Sequence, residues 1–180
     1  MGPIGHLAVG LAAKPAAPRV PLLVLILATE VLDLLTLAFL ATGVERFGIT
    51  RTDLSHGLTM VSPASIPWSH GLVMSLVWSA LAVGIAFLAF RDRRASAIVG
   101  LLVFSHWVLD LLVHPQELPL FLAGSTKLGL CLWCSGPGLI ISGILEFALL
   151  AAGVAIYVVH RKRHPRTIAN TPHLMNQPGT

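Results

Sequence analysis

Three polar residues interrupt one long apolar segment at a spacing that puts them on one face of a helix. His106, Asp110 and His114 lie four residues apart, inside or at the end of an apolar run that starts near residue 95. Side chains at i, i+4 and i+8 share one helix face. Imidazole and carboxylate groups are costly in hydrocarbon, so within a membrane they usually face the interior of a bundle. The pattern predicts a polar functional site around His106 and Asp110.

Other acidic and imidazole residues in or beside apolar runs are candidates for the same site. Glu30 and Asp33 share a face at i, i+3 in the first run, His70 begins the second, and His6 lies in a short apolar segment. Imidazole and carboxylate ligands suit divalent metals, and a cation would neutralise buried acids. We expect a divalent metal, zinc first among them, with one to three ions. The six predicted ligands are His6, Glu30, Asp33, His70, His106 and Asp110.

Each of these residues taken alone has a plainer interpretation. A single membrane histidine is more often a hydrogen-bonded packing residue. Glu30 with Asp33 could form a proton relay or an interhelical pair, and Asp110 could be bonded by Trp107 or a serine. Their depths favour a common site, because a rise of about 1.5 Å per residue puts both acids of the first run, His106 and Asp110 in the same half of a bilayer.

Four further residues are predicted to line or support this site. His114 and Glu117 follow the central helix face and are candidates to orient the ligands. Glu146 lies inside the last apolar run, where pairing with a histidine or a ligand competes with plain packing. His56 is a loop histidine that could line the external mouth, although a loop histidine usually has no such role.

The composition is that of an integral membrane protein. Of 180 residues, 55% are hydrophobic and 11% charged, with a mean hydropathy of +0.81, whereas soluble domains have about 25% charged residues. The formal charge of +4 does not indicate a nucleic-acid partner, because the Lys and Arg residues stand at the ends of apolar runs. Cys131 and Cys134 form a CxxC pair, for which a local disulfide or free thiols are favoured over a metal.

The hydrophobic pattern predicts an all-α fold, an integral membrane bundle of about four transmembrane helices. Spanning takes about 20 apolar residues, and the predicted spans are about 20–42, 68–90, 95–113 and 138–159. We expect one domain over 1–164, in which residues 3–13 form a short re-entrant or interfacial helix. Residues 43–67 and 114–137 are predicted loops, and residues 165–180 a disordered cytoplasmic tail.

The basic residues predict the orientation of the chain. Nine of the 12 Lys and Arg residues fall on one side of a four-span bundle, and such an excess marks the cytoplasmic side. We therefore expect a multi-pass protein of the cell (inner) membrane with both termini in the cytoplasm and both loops outside. Membrane lipid is the expected partner, and the oligomeric state stays open.

The order of these motifs resembles a known family. Gly5-His6-Leu7, the acidic pair of the first run, Trp68-Ser69-His70-Gly71 and Ser105-His106-Trp107-Val108-Leu109-Asp110 look like the YdjM-like inner-membrane metal-dependent hydrolases. That family is similar in motif order to the zinc-dependent phospholipase C and P1 nuclease group. The resemblance covers about residues 4–120 and implies His6, His70, His106 and Asp110 as ligands. At Thr29-Glu30-Val31-Leu32-Asp33 the chain lacks the proline and following histidine usual in the family.

The resemblance implies metal-assisted hydrolysis of an ester or phosphoester, with Glu30 or Asp33 as ligand or general base. The depth of the site indicates a lipid-like substrate such as a phospholipid. A second hypothesis is a non-catalytic multi-pass protein, an ion- or proton-coupled transporter or an accessory subunit, that retains a polar His/Asp/Glu core. Four spans are few for a transporter, and no inverted repeat is visible in the sequence.

Overall fold

A computed structural model describes residues 1–53, 59–122 and 124–164, with the backbone alone described for residues 47–53 and 59–65. The described part is mostly helical, as predicted. Its helices are α1 (Pro3–Ala12), α2 (Leu22–Thr29), α3 (Val31–Ala41), α4 (Pro67–His70), α5 (Leu72–Phe90), α6 (Arg93–Val113) and α7 (Gly136–Arg163). The predicted tail at 165–180 lies outside the described residues.

Three of the described helices, α5, α6 and α7, are long and apolar enough to cross a membrane. They match the last three predicted spans to within a few residues at each end. The first predicted span is not one straight helix: α2 and α3 are bent by 59° at Glu30, and together they count as a fourth span only if the bent pair crosses as a unit. Three helices able to span are therefore confirmed, and the fourth predicted span stays a prediction.

The bend at Glu30 has a cause that lies far away in the sequence. The ring nitrogen Nδ1 of His106 lies 2.6 Å from the carbonyl oxygen of Thr29, the last residue of α2. A carbonyl bonded by a side chain is withdrawn from the i→i−4 ladder, and such insertions bend helices. The bend also starts a new helix at Val31, which puts Asp33 in the first turn of α3, where the helix dipole favours a carboxylate.

The central element is α6, which packs against α5, α2, α1 and α3. Half of its apolar stretch is buried, against 11% for α5 and α7. Asp92 caps its N-terminus by accepting a hydrogen bond from the Ala95 amide at 3.1 Å. Arg91, in the left-handed conformation with φ 53°, makes the tight turn from α5. At Gly100 a side chain would collide with the backbone of Ser79, so this glycine lets α5 and α6 approach closely.

The short helix α1 is held inside the bundle by two close backbone approaches. A Cβ atom on Gly153 of α7 would collide with the carbonyl oxygen of Ala8, and one on Gly10 would lie 3.0 Å from the Cα of Ile26 in α2. Small residues permit such contacts between apolar helices. As a result His6 is buried, with 1% of its surface exposed, as the predicted fold-back requires.

Two short sheets correct the purely α-helical prediction. Residues 43–67, predicted as a loop, contain an antiparallel pair, β1 (Arg46–Asp53) with β2 (Thr59–Ser65). Within the second predicted loop, β3 (Leu118–Pro119) pairs with β4 (Lys127–Leu128). The Gly, Ser, Thr and Pro content that indicated loops does not exclude a hairpin, because short strands at a bundle end need no continuous apolar pattern.

Candidate metal site

His106 is oriented by a backbone acceptor. Its Nδ1 lies 2.6 Å from the Thr29 carbonyl oxygen, and because a carbonyl only accepts, Nδ1 carries the proton. The second ring nitrogen, Nε2, faces Asp110 Oδ2 at 3.2 Å and Asp33 Oδ1 at 3.5 Å. A histidine whose one nitrogen donates to a carbonyl has the other oriented as a metal ligand.

His70 also directs one ring nitrogen into the cluster, from α4. It ends the single-turn helix α4, and Gly71 follows because a side chain there would collide with the carbonyl oxygen of Pro67. The Nδ1 atom lies 3.1 Å from the hydroxyls of Ser69 and Thr36. Its Nε2 lies 3.3 Å from Nε2 of His106. The Trp107 indole donates to the His70 carbonyl at 2.9 Å, which ties α4 to α6.

Two carboxylates flank this pair of imidazoles. Asp110, 4% exposed, has its Oδ2 atom 3.5 Å from His70 Nε2 and 3.2 Å from His106 Nε2. Asp33 Oδ1 lies 3.5 Å from both nitrogens, although half of its side chain, 52%, is exposed. The two imidazole nitrogens therefore converge with two carboxylate oxygens on one small volume.

His6 completes the cluster but differs from the other histidines. Its Nε2 lies 3.2 Å from Asp110 Oδ1 and 3.0 Å from the Met1 carbonyl oxygen, while the Met1 amino nitrogen also contacts Asp110 Oδ1. Its ring stacks on that of His106 at 3.8 Å. The Nδ1 atom is buried with no hydrogen-bond partner among the described residues. Because the Met1 carbonyl only accepts, Nε2 of His6 carries the proton in this arrangement. This is the reverse of His106, so His6 is less suited to bind an ion.

Glu30 is adjacent to the cluster rather than part of it. Among the described residues, the groups whose donor atoms all lie within 4.8 Å of one another are His6–His106–Asp110 and Asp33–His70–His106. Glu30 is in neither, although it interacts electrostatically with His6, His106 and Asp33. Its Oε1 atom is buried without a hydrogen-bond partner in the described part of the chain. Five of the six predicted ligands are therefore brought together, and the sixth lies beside them.

These groups could hold a metal ion, and their chemistry fits one. Zinc bonds of about 2.0–2.1 Å separate neighbouring ligands in a tetrahedron by roughly 3.3 Å. The separations among His70 Nε2, His106 Nε2 and Asp110 Oδ2 are 3.2–3.5 Å. Two imidazole nitrogens and two carboxylates that face one another in a largely buried volume also need a positive charge between them, either protons or a cation.

The supporting residues predicted from the sequence have mixed outcomes. His114 Nε2 is 3.9 Å from Asp110 Oδ1, its ring packs on Trp133, and burial lowers the pKa of its imidazole to about 4. It is therefore neutral at physiological pH. Glu146 accepts a hydrogen bond from the Gly2 amide, and none of the histidines in the described part of the chain pairs with it. His56 lies outside the described residues.

One cavity of 430 Å³ connects the cluster with the end of the bundle that carries both predicted loops. Asp33, His70 and Asp110 lie on its polar side, and Glu117, as predicted, is among its lining residues together with His114. Apolar side chains form much of the remaining wall: Leu37, Leu40, Ile66, Leu118 and Trp133. The CxxC pair near this end forms a disulfide between Cys131 and Cys134.

Sequence reasoning missed the residues behind His70. Glu45, 3% exposed, accepts hydrogen bonds from the amides of Trp68 and Ser69 at 2.8 and 2.9 Å. The Ser69 hydroxyl also donates to this carboxylate, at 2.9 Å from Oε2. Glu45 lies between two predicted elements and 24 residues before Ser69, so no local pattern indicates the contact. The serine directly before His70 was the only available signal.

The fold and the site define a mostly helical protein with apolar helices able to cross a membrane and a buried His/Asp cluster able to hold a metal ion. Comparison of the chain with protein-family models, curated proteins and solved structures finds no match.

Proposed function

We propose that the protein is a membrane-embedded metal-dependent hydrolase that cleaves an ester or phosphoester in a lipid-like substrate. The observation that carries the proposal is the convergence of His70 Nε2 and His106 Nε2, 3.3 Å apart, on two carboxylates. The motif order that resembles the YdjM-like hydrolases supports the same reading, with the chain as a divergent member.

One divalent ion, zinc first among the candidates, fits this arrangement better than two or three. Both groups of donor atoms include His106, whose Nδ1 is bonded to the Thr29 carbonyl. A neutral imidazole then has a single lone pair, on Nε2, and can bind one ion. We therefore propose His70 and His106 as the central ligands, Asp33 and Asp110 as the carboxylates beside them, and His6 as a peripheral ligand.

The remaining chemistry belongs to the carboxylates. A bound divalent ion would supply Lewis acidity, which activates water and stabilises developing negative charge. Asp33 is half exposed and lines the cavity, so its carboxylate can contact an incoming substrate or water. Glu30 has a buried oxygen with no partner among the described residues and is the candidate general base.

The cavity supports a lipid-like substrate. Its polar side is formed by the cluster, while Leu37, Leu40 and Ile66 contribute an apolar wall that suits acyl chains. The positive-inside bias puts this end of the bundle outside the cell in our proposal, with both termini in the cytoplasm. A substrate would then enter from the outer leaflet of the inner membrane.

The direct test is hydrolysis of phospholipid by purified protein in mixed micelles, before and after zinc is removed and restored. We expect zinc-dependent product release that Asp110→Asn abolishes and that His160→Ala, a histidine of α7 outside the cluster, leaves intact. A long-chain substrate should be cleaved faster than a water-soluble short-chain ester. Zinc-loaded protein inactive on every ester and phosphoester lipid would contradict a hydrolase.

A second candidate function rests on the same short contact. Two imidazoles 3.3 Å apart between two carboxylates could pass protons without any metal, as in a proton-coupled transporter or an accessory subunit. The two functions predict different metal contents: the hydrolase retains zinc through purification, whereas the proton relay is complete without it. Proton uptake by metal-free protein in vesicles would favour the second.

A further inference from the structure

A buried carboxylate outside the His/Asp cluster contacts the residues directly before His70. Glu45 lies behind α4, with 3% of its surface exposed, and its Oε1 atom accepts from the amides of Trp68 and Ser69. A carboxylate can only accept hydrogen bonds. The Ser69 hydroxyl is 3.1 Å from Oε1 and 2.9 Å from Oε2, nearer than its other acceptor, the Ile66 carbonyl at 3.5 Å, and therefore directs its single proton to Glu45.

The direction of the Ser69 hydrogen bond determines the direction of the next one, between Ser69 and His70. With its proton on Glu45, the Ser69 oxygen offers only lone pairs to His70 Nδ1, 3.1 Å away. The other hydroxyl at Nδ1, that of Thr36, has its own acceptors in the Leu32 carbonyl at 3.0 Å and Ser69 Oγ at 2.8 Å. The hydrogen bond between Ser69 Oγ and His70 Nδ1 therefore takes its proton from Nδ1.

We propose that Glu45 is a positioning residue that acts through Ser69 to keep the His70 proton on Nδ1 and its Nε2 lone pair directed at the metal cluster. The inference rests on the proposed metal site and extends it beyond the ligands. It gives His70 the same polarity that the Thr29 carbonyl gives His106, so that both imidazoles present Nε2 to one ion. Partners of this kind typically change metal affinity by about 10- to 100-fold.

The variant that tests the proposal is Glu45→Gln. A glutamine retains an oxygen for the two amides, but its NH₂ group donates to Ser69 and frees the serine proton for His70 Nδ1. We expect the His70 proton to move to Nε2 and the zinc affinity, measured by competition with a chelating dye, to fall about 10- to 100-fold. Glu45→Asp retains the carboxylate and should restore Nδ1 protonation.

The position of the proton is read from ¹⁵N NMR of histidine-labelled full-length protein, which a merely structural role of Glu45 would not change. Asp92→Asn is the matched control, a carboxylate-to-amide change at the N-terminus of α6, and should alter neither measurement. If Glu45→Gln does not fold, Ser69→Ala breaks the same relay while leaving the backbone amides on Glu45. It should give mixed tautomers and weaker zinc binding.

The results separate the two proposals. Wild-type protein that binds no zinc would remove the metal-site proposal, and the tautomer comparison in zinc-free protein at alkaline pH would still decide the role of Glu45. A Glu45→Gln protein in which His70 retains its proton on Nδ1 would overturn the positioning role, whatever the zinc affinity of the wild type.

Discussion

At the scale of single residues, the three histidines of the cluster have different roles because the groups bonded to their Nδ1 atoms differ. His70 and His106 have Nδ1 engaged by hydroxyls and a carbonyl, whereas His6 has a buried Nδ1 with no partner among the described residues. Ligand strength should follow that order, since an oriented imidazole loses less freedom on binding. The sequence identified all three histidines from their positions but contained nothing that would rank them.

Alanine substitutions should reveal this ranking. We expect His106→Ala to eliminate stoichiometric zinc, and His6→Ala to weaken binding by a smaller factor while retaining a measurable site. Zinc affinity by dye competition measures both, with His160→Ala as the control histidine. Loss of zinc in His6→Ala but not in His106→Ala would reverse the assignment of central and peripheral ligands.

The two acids of the first apolar run should separate in the same way. Asp33 Oδ1 is 3.5 Å from both imidazole nitrogens, while Glu30 belongs to neither donor group. We expect Asp33→Asn to reduce zinc affinity by about 10- to 100-fold. Glu30→Gln should bind zinc nearly as well as wild type but turn over substrate slowly, with kcat reduced by about 10²–10⁴-fold. Equal zinc affinities in the two variants would contradict this division.

At the scale of helices and strands, the site depends on interruptions that a hydropathy pattern does not show. The pattern located α5, α6 and α7 to within a few residues, because long apolar runs have few alternatives. It missed the bend at Glu30, where the sequence has neither Pro nor Gly, since the acceptor of His106 is 77 residues away. Glu45 was missed for the same reason. Contacts between distant residues, not local propensity, complete this site.

The close approach of α1 to α7 is testable through a pair of glycines in α7. A methyl group at Gly153 would collide with the carbonyl oxygen of Ala8, whereas none of the described atoms lies within 4 Å of one at Gly143. We expect Gly153→Ala to destabilise the protein by about 1–3 kcal/mol and to weaken zinc binding, because α1 carries His6. Gly143→Ala should change neither.

Thermal unfolding in detergent and zinc titration measure the two effects of these glycine variants. The packing of α1 would be wrong if Gly153→Ala unfolded at the same temperature as Gly143→Ala and bound zinc equally well. A lower unfolding temperature with unchanged zinc affinity would retain the packing but remove His6 as a ligand.

At the scale of the whole molecule, four elements from distant parts of the chain meet at one cluster. α1 brings His6, α3 brings Asp33, α4 brings His70, and α6 brings both His106 and Asp110. Because these elements contribute ligands to the same volume, a bound ion would link them and stabilise the folded state. Depth in the predicted spans grouped Asp33 with His106 and Asp110, whereas His6 and His70 were assigned to the site by residue type and motif order.

Removal of the ion should therefore lower the stability of the whole bundle. An ion at 100 times its Kd adds about 2.7 kcal/mol to the free energy of unfolding. We expect a chelator to lower the unfolding temperature of the wild type and zinc to restore it. Asp110→Asn, which lacks a ligand, should unfold at one temperature in both conditions. A chelator effect of equal size in Asp110→Asn would show that the stabilising ion binds elsewhere.

The metal content of the purified full-length protein tests the central claim most directly. Elemental analysis should find close to one divalent ion, zinc in the first instance, per chain in the wild type and none in His106→Ala. Wild-type protein that contains no metal, takes up none when zinc is added and remains folded in chelator would contradict the metal site and favour the proton-conducting alternative.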